Sequence, residues 1–192
     1  MGENQRMVIR HANLDDAAGC LAVYGPFARD TAASFEESAP SLAQFRQRIV
    51  RISRSHAFMV ADDSGQVAGF AYAGPHRERP AYRWAAEVSV YLDERHRGQG
   101  LGRALYETLF PLLERQGYRT LLAGVTLPNP ASVALHRSLG FTEVGVYRGI
   151  GWKLGAWHDV VWLARPLGPE QTPGERPHSP GPPVRLAAPV EL

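Results

Sequence analysis

Three glycines stand within five positions in Arg97-Gly98-Gln99-Gly100-Leu101-Gly102-Arg103, between a stretch of strand character and an amphipathic helical pattern. Glycine lets the backbone approach a bulky ligand closely, and the following helix turns its free first-turn amides and positive dipole end toward that ligand. That chemistry suits a pyrophosphate. The dinucleotide fingerprint would require glycine where Arg103 stands, and the P-loop would require Gly-Lys-Ser or Gly-Lys-Thr; the sequence has neither. A glycine-rich turn before a helix is also a common tight connection, so the pattern alone leaves both readings open.

A second cluster is His76-Arg77-Glu78-Arg79-Pro80-Ala81-Tyr82-Arg83, with three arginines in seven positions. Guanidinium forks match carboxylate and phosphinate oxygens with paired hydrogen bonds, so this loop can clamp a small dianion; the plain alternative is a solvated loop. The seven histidines show no His-Glu-x-x-His or cysteine-paired spacing, so no metal site is expected. No Gly-x-Ser-x-Gly elbow occurs. His158 and Asp159 are adjacent on a strand and point to opposite faces, which makes them structural and not a relay.

The elements that must position these residues alternate in type. Val8 to Arg10 reads as a strand, and Asn13 offers an N-cap to a helix from Leu14 to about Tyr24. Ser41 caps a second helix with Leu42, Phe45 and Ile49 on one stripe. Ala57 to Ala61 and Gln66 to Ala73 flank a turn-forming Asp62-Asp63-Ser64-Gly65, which predicts a hairpin. Glu87 to Leu92 is a strand that leads into the glycine run. Leu101, Leu105, Leu109, Leu112 and Leu113 then mark a helix that stops at Gly117, with a bend expected at Pro111. Thr120 to Val125 is a buried strand, Asn129 and Pro130 open a short helix as N-cap and first residue, and Thr142 to Tyr147 and Trp157 to Leu163 complete the sheet. Hairpins first and strand–helix alternation later imply an α/β fold with a mixed sheet flanked by helices.

The chain has 192 residues, 44% hydrophobic and 21% charged, enough for one domain with a sizeable core. Its net charge of +2 is too balanced to announce a nucleic-acid partner. The longest apolar stretches fall far short of the roughly 20 residues of a membrane span. The polar start, Met1 to His11, lacks the apolar stretch of a signal peptide, and the single Cys20 cannot form an internal disulfide; a cytoplasmic product is expected. Eight of the 15 prolines follow Arg165, so a domain at 1–165 is expected, with 166–192 as an extended or mobile tail. Docking of Val184, Leu186, Val190 and Leu192 on the body is the less favoured alternative.

The string Arg-x-x-Gly-x-Gly after a strand resembles the acetyl-CoA pyrophosphate loop of the GNAT superfamily of N-acetyltransferases, and Asn129 through Gly140-Phe141 resembles its second conserved segment. Tyr72-Ala73-Gly74-Pro75, Ala81-Tyr82, Ala86-Glu87, Ser89-Val90-Tyr91, Leu127-Pro128-Asn129, Ser132-Val133, Leu135-His136 and the run Gly151 to Val160 resemble the phosphinothricin N-acetyltransferase branch. The resemblance covers about 8–165 and extends to Pro182-Pro183-Val184-Arg185 in the tail. It implies a mostly antiparallel central sheet with a bulged strand before the acetyl-CoA loop. It also implies acetyl-CoA as co-substrate held by Arg97, Gly98, Gln99, Gly100, Leu101, Gly102 and Arg103, and a homodimer acting on a small-molecule amine, with no nucleic acid and no membrane.

Acetyl transfer to an amine needs the nitrogen neutral, hence a base. The resemblance places Glu87 at a catalytic position, where burial would raise its pKa toward neutrality. His136 lies seven residues after Asn129, on nearly the same helix face, and replaces the tyrosine that in many members protonates the departing thiolate. It can serve as base or, once protonated, as acid. Backbone amides near Val90, Tyr91 and Leu92 are the candidate donors to the oxyanion and to the pantetheine, which Asn129 also contacts. Substrate contacts are implied at Phe35, Arg77, Arg79, Tyr82 and Tyr91, and at Val160 through its backbone. Ser34 stands where the branch favours Asn, and Arg77 where it favours Lys. The preferred reading is acetylation of a small anionic amino acid such as phosphinothricin or methionine sulfoximine. The alternatives are acetylation of a peptide or protein amine, and an acyl-CoA-binding module without turnover.

Overall fold

The computed structural model describes residues 7–168, 174 and 176–192. Met1 to Arg6, and Pro169 and Pro173 of the tail, lie outside the described residues. In chain order the elements are β1 (Met7–His11), α1 (Ala17–Asp30), α2 (Leu42–Ser53), β2 (Phe58–Asp63), β3 (Gln66–Pro75), β4 (Ala85–Leu92), α3 (Leu101–Gln116), β5 (Thr120–Thr126), α4 (Pro130–Ser138), β6 (Thr142–Lys153), β7 (Ala156–Pro166) and β8 (Val190–Glu191). The strands form one eight-stranded sheet in the order β6-β7-β5-β4-β3-β2-β1-β8. Among the described residues only β4 and β5 pair parallel, and the other pairings are antiparallel.

Strand alternation divides β4 between two cores. Ala86, Val88, Val90 and Leu92 pack toward α3 with Leu101, Leu105, Leu109 and Leu113, whereas Tyr91 joins the core under α1 and α2 with Phe45, Phe58 and Phe70. Both faces of the sheet are therefore covered, which is why β2 and β5 read as nearly continuous apolar runs. Among the described residues no helix is long and apolar enough to cross a membrane.

Local signals hold where the side chain and backbone act alone. Ser41 and Gln44 form a reciprocal capping box at 3.2 and 2.7 Å. Ser64 and Gly65 both take positive φ in the β2–β3 turn, as a two-residue hairpin of this twist requires. Gly117 ends α3 at φ +108°, its N–H donating to Leu113 and Glu114 carbonyls.

Several expectations change. α1 begins at Ala17 and runs to Asp30, later and longer than the pattern from Asn13 predicts. Asn13 caps only a local turn by accepting the Asp15 N–H, while Asp16 is drawn into a bidentate pair with Arg10 at 2.8 Å. Leu42 leaves the α2 stripe for solvent, with Phe45 and Ile49 buried. α3 runs unbroken through Pro111; the missing donor would have met the carbonyl of Glu107, on the exposed face of the helix. The hairpin of β6 and β7 is longer than predicted because glycines at 145, 149 and 151 hide its alternation. Asp159 stabilises the irregularity there, accepting from the Gly149 N–H at 2.8 Å and from Arg148 at 2.6 Å.

The bulge expected in β4 is not found against β3, whose register runs unbroken from Gly69↔Leu92 to Pro75↔Ala86. The opening arises on the other side: β4 and β5 pair only from Ala85↔Thr120 to Glu87↔Leu122, then part.

The described tail is extended and lies against the body, where a passive extension was favoured. Val184 and Leu186 pack on the α3 core, the Trp84 indole donates to His178 O at 2.8 Å, the Leu186 N–H donates to His11 Nε2 at 3.0 Å, and β8 pairs with β1. Prolines forbid helix but leave carbonyls free, so a proline-rich chain can still be held by donors from elsewhere. Gln116 shows this directly, its Nε2 reaching both Gly181 O and Ser55 O.

Beside that junction His56 is buried between Ser55 Oγ at 2.8 Å and the Tyr118 hydroxyl at 2.7 Å. Burial pushes its imidazole down from 6.5 to about 4, so below pH 6.5 the unfolded chain takes up a proton that the fold refuses. Stability from this group is thus lost as pH falls from 6.5 toward 4. Thermal melts over that window should show a pH slope smaller by about 1 kcal/mol per pH unit in His56→Gln than in the parent; equal slopes would assign the acid sensitivity to other groups.

Candidate active site

The parting of β4 and β5 opens a cavity of about 650 Å³. Ser89 to Leu92 line one side of the gap and Gly124 to Thr126 the other, with the start of α3 and one face of α4 closing it and Phe27 and Ala33 at its α1 rim. The three glycines of the cradle do different things. Gly98 and Gly100 take φ of +73° and +84° with open space where a Cβ would stand, so their requirement is conformational. Gly102 has ordinary φ, but a Cβ there would lie 3.2 Å from Leu135 and 3.4 Å from Leu92, so its requirement is packing of α3 against α4.

Ala104 N–H already bonds Gly100 O, whereas the amides of Leu101, Gly102 and Arg103 precede the first intrahelical bond, and all three residues line the cavity, an arrangement that suits an anion. The guanidinium of Arg97 lies over the Phe27 ring at 5.0 Å, and Arg103 bridges to Ser138 Oγ at 2.8 Å and Glu107 at 3.0 Å. Positive charge thus brackets the amide cluster. Gln99 turns back to Arg95 O at 2.8 Å and does not line the cavity.

Asn129 accepts the Ser132 N–H at 3.1 Å, which starts α4 and turns its face to the cavity. Two helical turns on, His136 is buried at 3% exposure and lines the same cavity. Its Nδ1 lies 2.8 Å from Ser132 O; a carbonyl only accepts, so Nδ1 carries the proton and Nε2 is a lone pair. The Tyr106 hydroxyl, 3.2 Å from Nε2, donates to it. Burial lowers the His136 pKa and raises that of Tyr106, which keeps both neutral near pH 7.

Glu87 does not line this cavity. It closes the last β4–β5 pair on the α1/α2 face of the sheet, 38% exposed and accepting from His76 Nδ1 at 2.7 Å. The burial expected for it is missing because the strands separate immediately beyond it. His76 meets the Tyr82 and Trp162 rings edge-on, each at 5.7 Å, and Trp162 covers Gly124. Phe35 lies on Gly151, where a Cβ would stand 2.3 Å from its ring. Arg77 and Arg79 are exposed beside this cluster, and Val160 is buried opposite Thr126.

The structure therefore gathers Val90, Tyr91, Leu92, Arg97, Gly98, Gly100, Leu101, Gly102, Arg103, Asn129 and His136 around one cavity. Glu87, Phe35, Arg77, Arg79, Tyr82 and Val160 lie outside its lining, several of them on the adjoining face. Sequence reasoning missed Phe27, Tyr106 and Ser132. Tyr106 had a signal, lying one turn after Gly102 on the same helix face; the His76–Glu87 pair had none. Among the described residues no group of three or more His, Cys, Asp or Glu side chains is placed to hold a metal ion.

The family model for an acetyltransferase (GNAT) domain matches residues 9–162. The chain is 36% identical over 163 residues to a phosphinothricin N-acetyltransferase of Streptomyces viridochromogenes, covering 85% of this chain and 89% of that protein. Among solved structures, it resembles a GNAT superfamily phosphinothricin acetyltransferase from Sinorhizobium meliloti in complex with acetyl-CoA (TM-score 0.82, 35% identity, 88% of this chain and 94% of that one). It also resembles a ribosomal-protein-alanine N-acetyltransferase from Brucella melitensis (TM-score 0.81, 36% identity, 83% and 99%).

Gly100→Ala forces a side chain into the left-handed region at a cost of about 1–2 kcal/mol. Calorimetric titration with coenzyme A should show affinity at least tenfold weaker, with thermal stability lowered by no more than that strain; unchanged affinity would mean that the cradle does not need this backbone shape.

Proposed function

Since the chain belongs to the GNAT family of acetyl-CoA-dependent N-acetyltransferases, we propose that it acetylates the amino group of a small anionic amino acid, with phosphinothricin or a mimic such as methionine sulfoximine as acceptor. Transfer is by direct attack in a ternary complex. The observation that carries this reading is the pairing of an amide-and-arginine cradle beside the β4–β5 gap with Glu87 where the gap begins, held by His76 at the start of an arginine-bearing loop. The named activity of the Streptomyces relative supports the same acceptor.

In this reading the amides of Leu101 to Arg103, with Arg97, hold the diphosphate. The β4 edge freed beyond Glu87 offers backbone donors near Val90 to Leu92 for the pantetheine and for the thioester oxygen. Glu87, 38% exposed where β4 and β5 part, takes the proton of the amine. His136 has its one N–H committed to Ser132 and acts as an acceptor through Nε2. Arg77 and Arg79 clamp the acceptor's anionic groups, with Tyr82, Tyr91, Phe35 and Val160 shaping the space between. Residues 1–165 form the catalytic domain and 166–192 its tail. A cytoplasmic setting belongs to the same proposal, in keeping with a chain whose single cysteine, Cys20, is free and buried.

Thiol release should be measured with phosphinothricin, methionine sulfoximine, neutral amino acids and a peptide beginning with alanine. Turnover of the anionic amino acids ahead of the others supports the proposal. Preference for the peptide would favour protein-amine acetylation, the reading that the likeness to the Brucella enzyme supports. Glu87→Gln should lower kcat about 10²–10⁴-fold with little change in acetyl-CoA affinity; equal losses in both would remove its role as base.

The proposal includes a homodimer. β6 is an outer strand of the sheet, and its hairpin exposes Ile150, Trp152, Leu154 and Trp157, an apolar group of the kind that a second surface covers. Light scattering should give twice the 21.1 kDa chain mass, and Trp157→Glu should shift it toward the monomer; a monomeric parent would end this part.

A further inference from the structure

Lys153 is the one lysine of the chain, and its side chain is almost wholly buried, at 5% exposure. Its Nζ donates to Ala28 O at 2.7 Å and to Ser34 O at 2.5 Å. Among the described residues no carboxylate is within salt-bridge distance of it, so the two carbonyls are the direct hydrogen-bond partners that hold the ammonium. Ala28 lies in the last turn of α1, whose carbonyls have no intrahelical donor and whose dipole favours a cation. Ser34 belongs to the loop from α1 to α2 and is itself buried, its Oγ 2.6 Å from the Tyr24 hydroxyl and accepting the Glu36 N–H.

The strand that supplies Lys153 also receives this loop. Residues two apart on a strand share a face, and Gly151 gives up its side chain to the Phe35 ring. His158, opposite Gly151 on β7, holds Lys153 O at 2.9 Å. One strand face thus grips the loop backbone at Ser34 and seats its next side chain at Phe35. The span is long, since β6 and β7 lie beyond β5 while α1 covers the sheet on the far side of the β4–β5 gap. The same loop carries Ala33 to the cavity rim.

We propose that Lys153 is a positioning residue for acceptor specificity: its ammonium ties the α1–α2 loop to the β6–β7 hairpin across the open end of the sheet, and so fixes the Phe35 wall of the acceptor site. The proposal rests on the acceptor reading given under the proposed function. It assigns Lys153 no contact with either substrate. A lysine suits the task because a compact point charge can serve two converging carbonyls, which the planar fork of arginine does not match.

The test begins with the parent enzyme and the anionic amino acid that it turns over best; if none is acetylated, the acceptor reading fails before Lys153 is in question. Given turnover, Lys153→Met, which keeps the stem and removes the donors, should raise the acceptor KM about tenfold, with kcat and the acetyl-CoA KM within about twofold. In a Phe35→Ala background the same substitution should have a much smaller effect, because both act through one loop. An undiminished effect in that background, or equal rises in both KM values, would overturn the proposal. A measurement on the unaltered protein covers the case in which Lys153→Met does not fold. Apart from the N-terminal amine, reductive methylation can report only on Lys153. A saturating acceptor should slow its labelling several-fold relative to an equal concentration of an amino acid that is not acetylated, which consumes the same amount of reagent, while coenzyme A alone does not; labelling equal with the two amino acids would likewise overturn the proposal.

Discussion

Everything at the site follows from the brevity of the one parallel pairing in the sheet. β4 and β5 share a ladder over only three residue pairs and then diverge, so backbone polar groups that a longer ladder would satisfy are left at the gap. Such groups are costly to bury unpaired. A ligand with its own amide and carbonyl groups could complete the interrupted ladder, and the glycine run at the end of β4 stands beside the same opening with helix-start amides of the kind that suit an anion. The connection from β4 through α3 to β5 explains why these features come together: in a parallel unit the helix N-terminus falls at the strand's C-terminal end, beside the opening.

The fold answers the gap with ties that cross it. Trp162 on β7 covers Gly124 of β5 and meets His76 from the β3–β4 loop, while His76 holds Glu87. On the same face Lys153 reaches from β6 to α1 and its following loop. On the opposite face Arg103 and Gly102 lock α3 to α4, which sets His136 against Tyr106. An interrupted ladder would weaken the middle of a sheet. Here side chains from sequence-distant elements restore rigidity around the opening without closing it.

Much of this was legible in the chain order. The Ser41 helix cap, the Asp62–Gly65 turn, the leucine stripe ended by Gly117 and the Asn129–Pro130 helix start are each decided within a few residues, and each stands where expected. The glycine run was legible for the same reason, since positive φ at Gly98 and Gly100 is a property of their own backbone. Asn13 failed as a helix cap because Asp16 was claimed by Arg10, a residue of β1 that also bonds Asp62 of β2. The contacts of the described tail are not legible from its own composition, because the donors that hold it come from Trp84, Gln116 and β1.

By itself, then, the sequence determined most of the helix ends, the β2–β3 turn and the glycine run before α3, because capping, glycine conformation and apolar periodicity are short-range physics. Only the tertiary structure decided that the opening lies between β4 and β5 and not in a bulge of β4. It also left Glu87 half in water with His76 as partner, fixed the proton of His136 on Nδ1, and buried the one lysine as a strut. Each of those depends on which distant atom completes a hydrogen bond or removes water from a charge, and that is settled by packing at separations of up to 125 residues, beyond any local pattern.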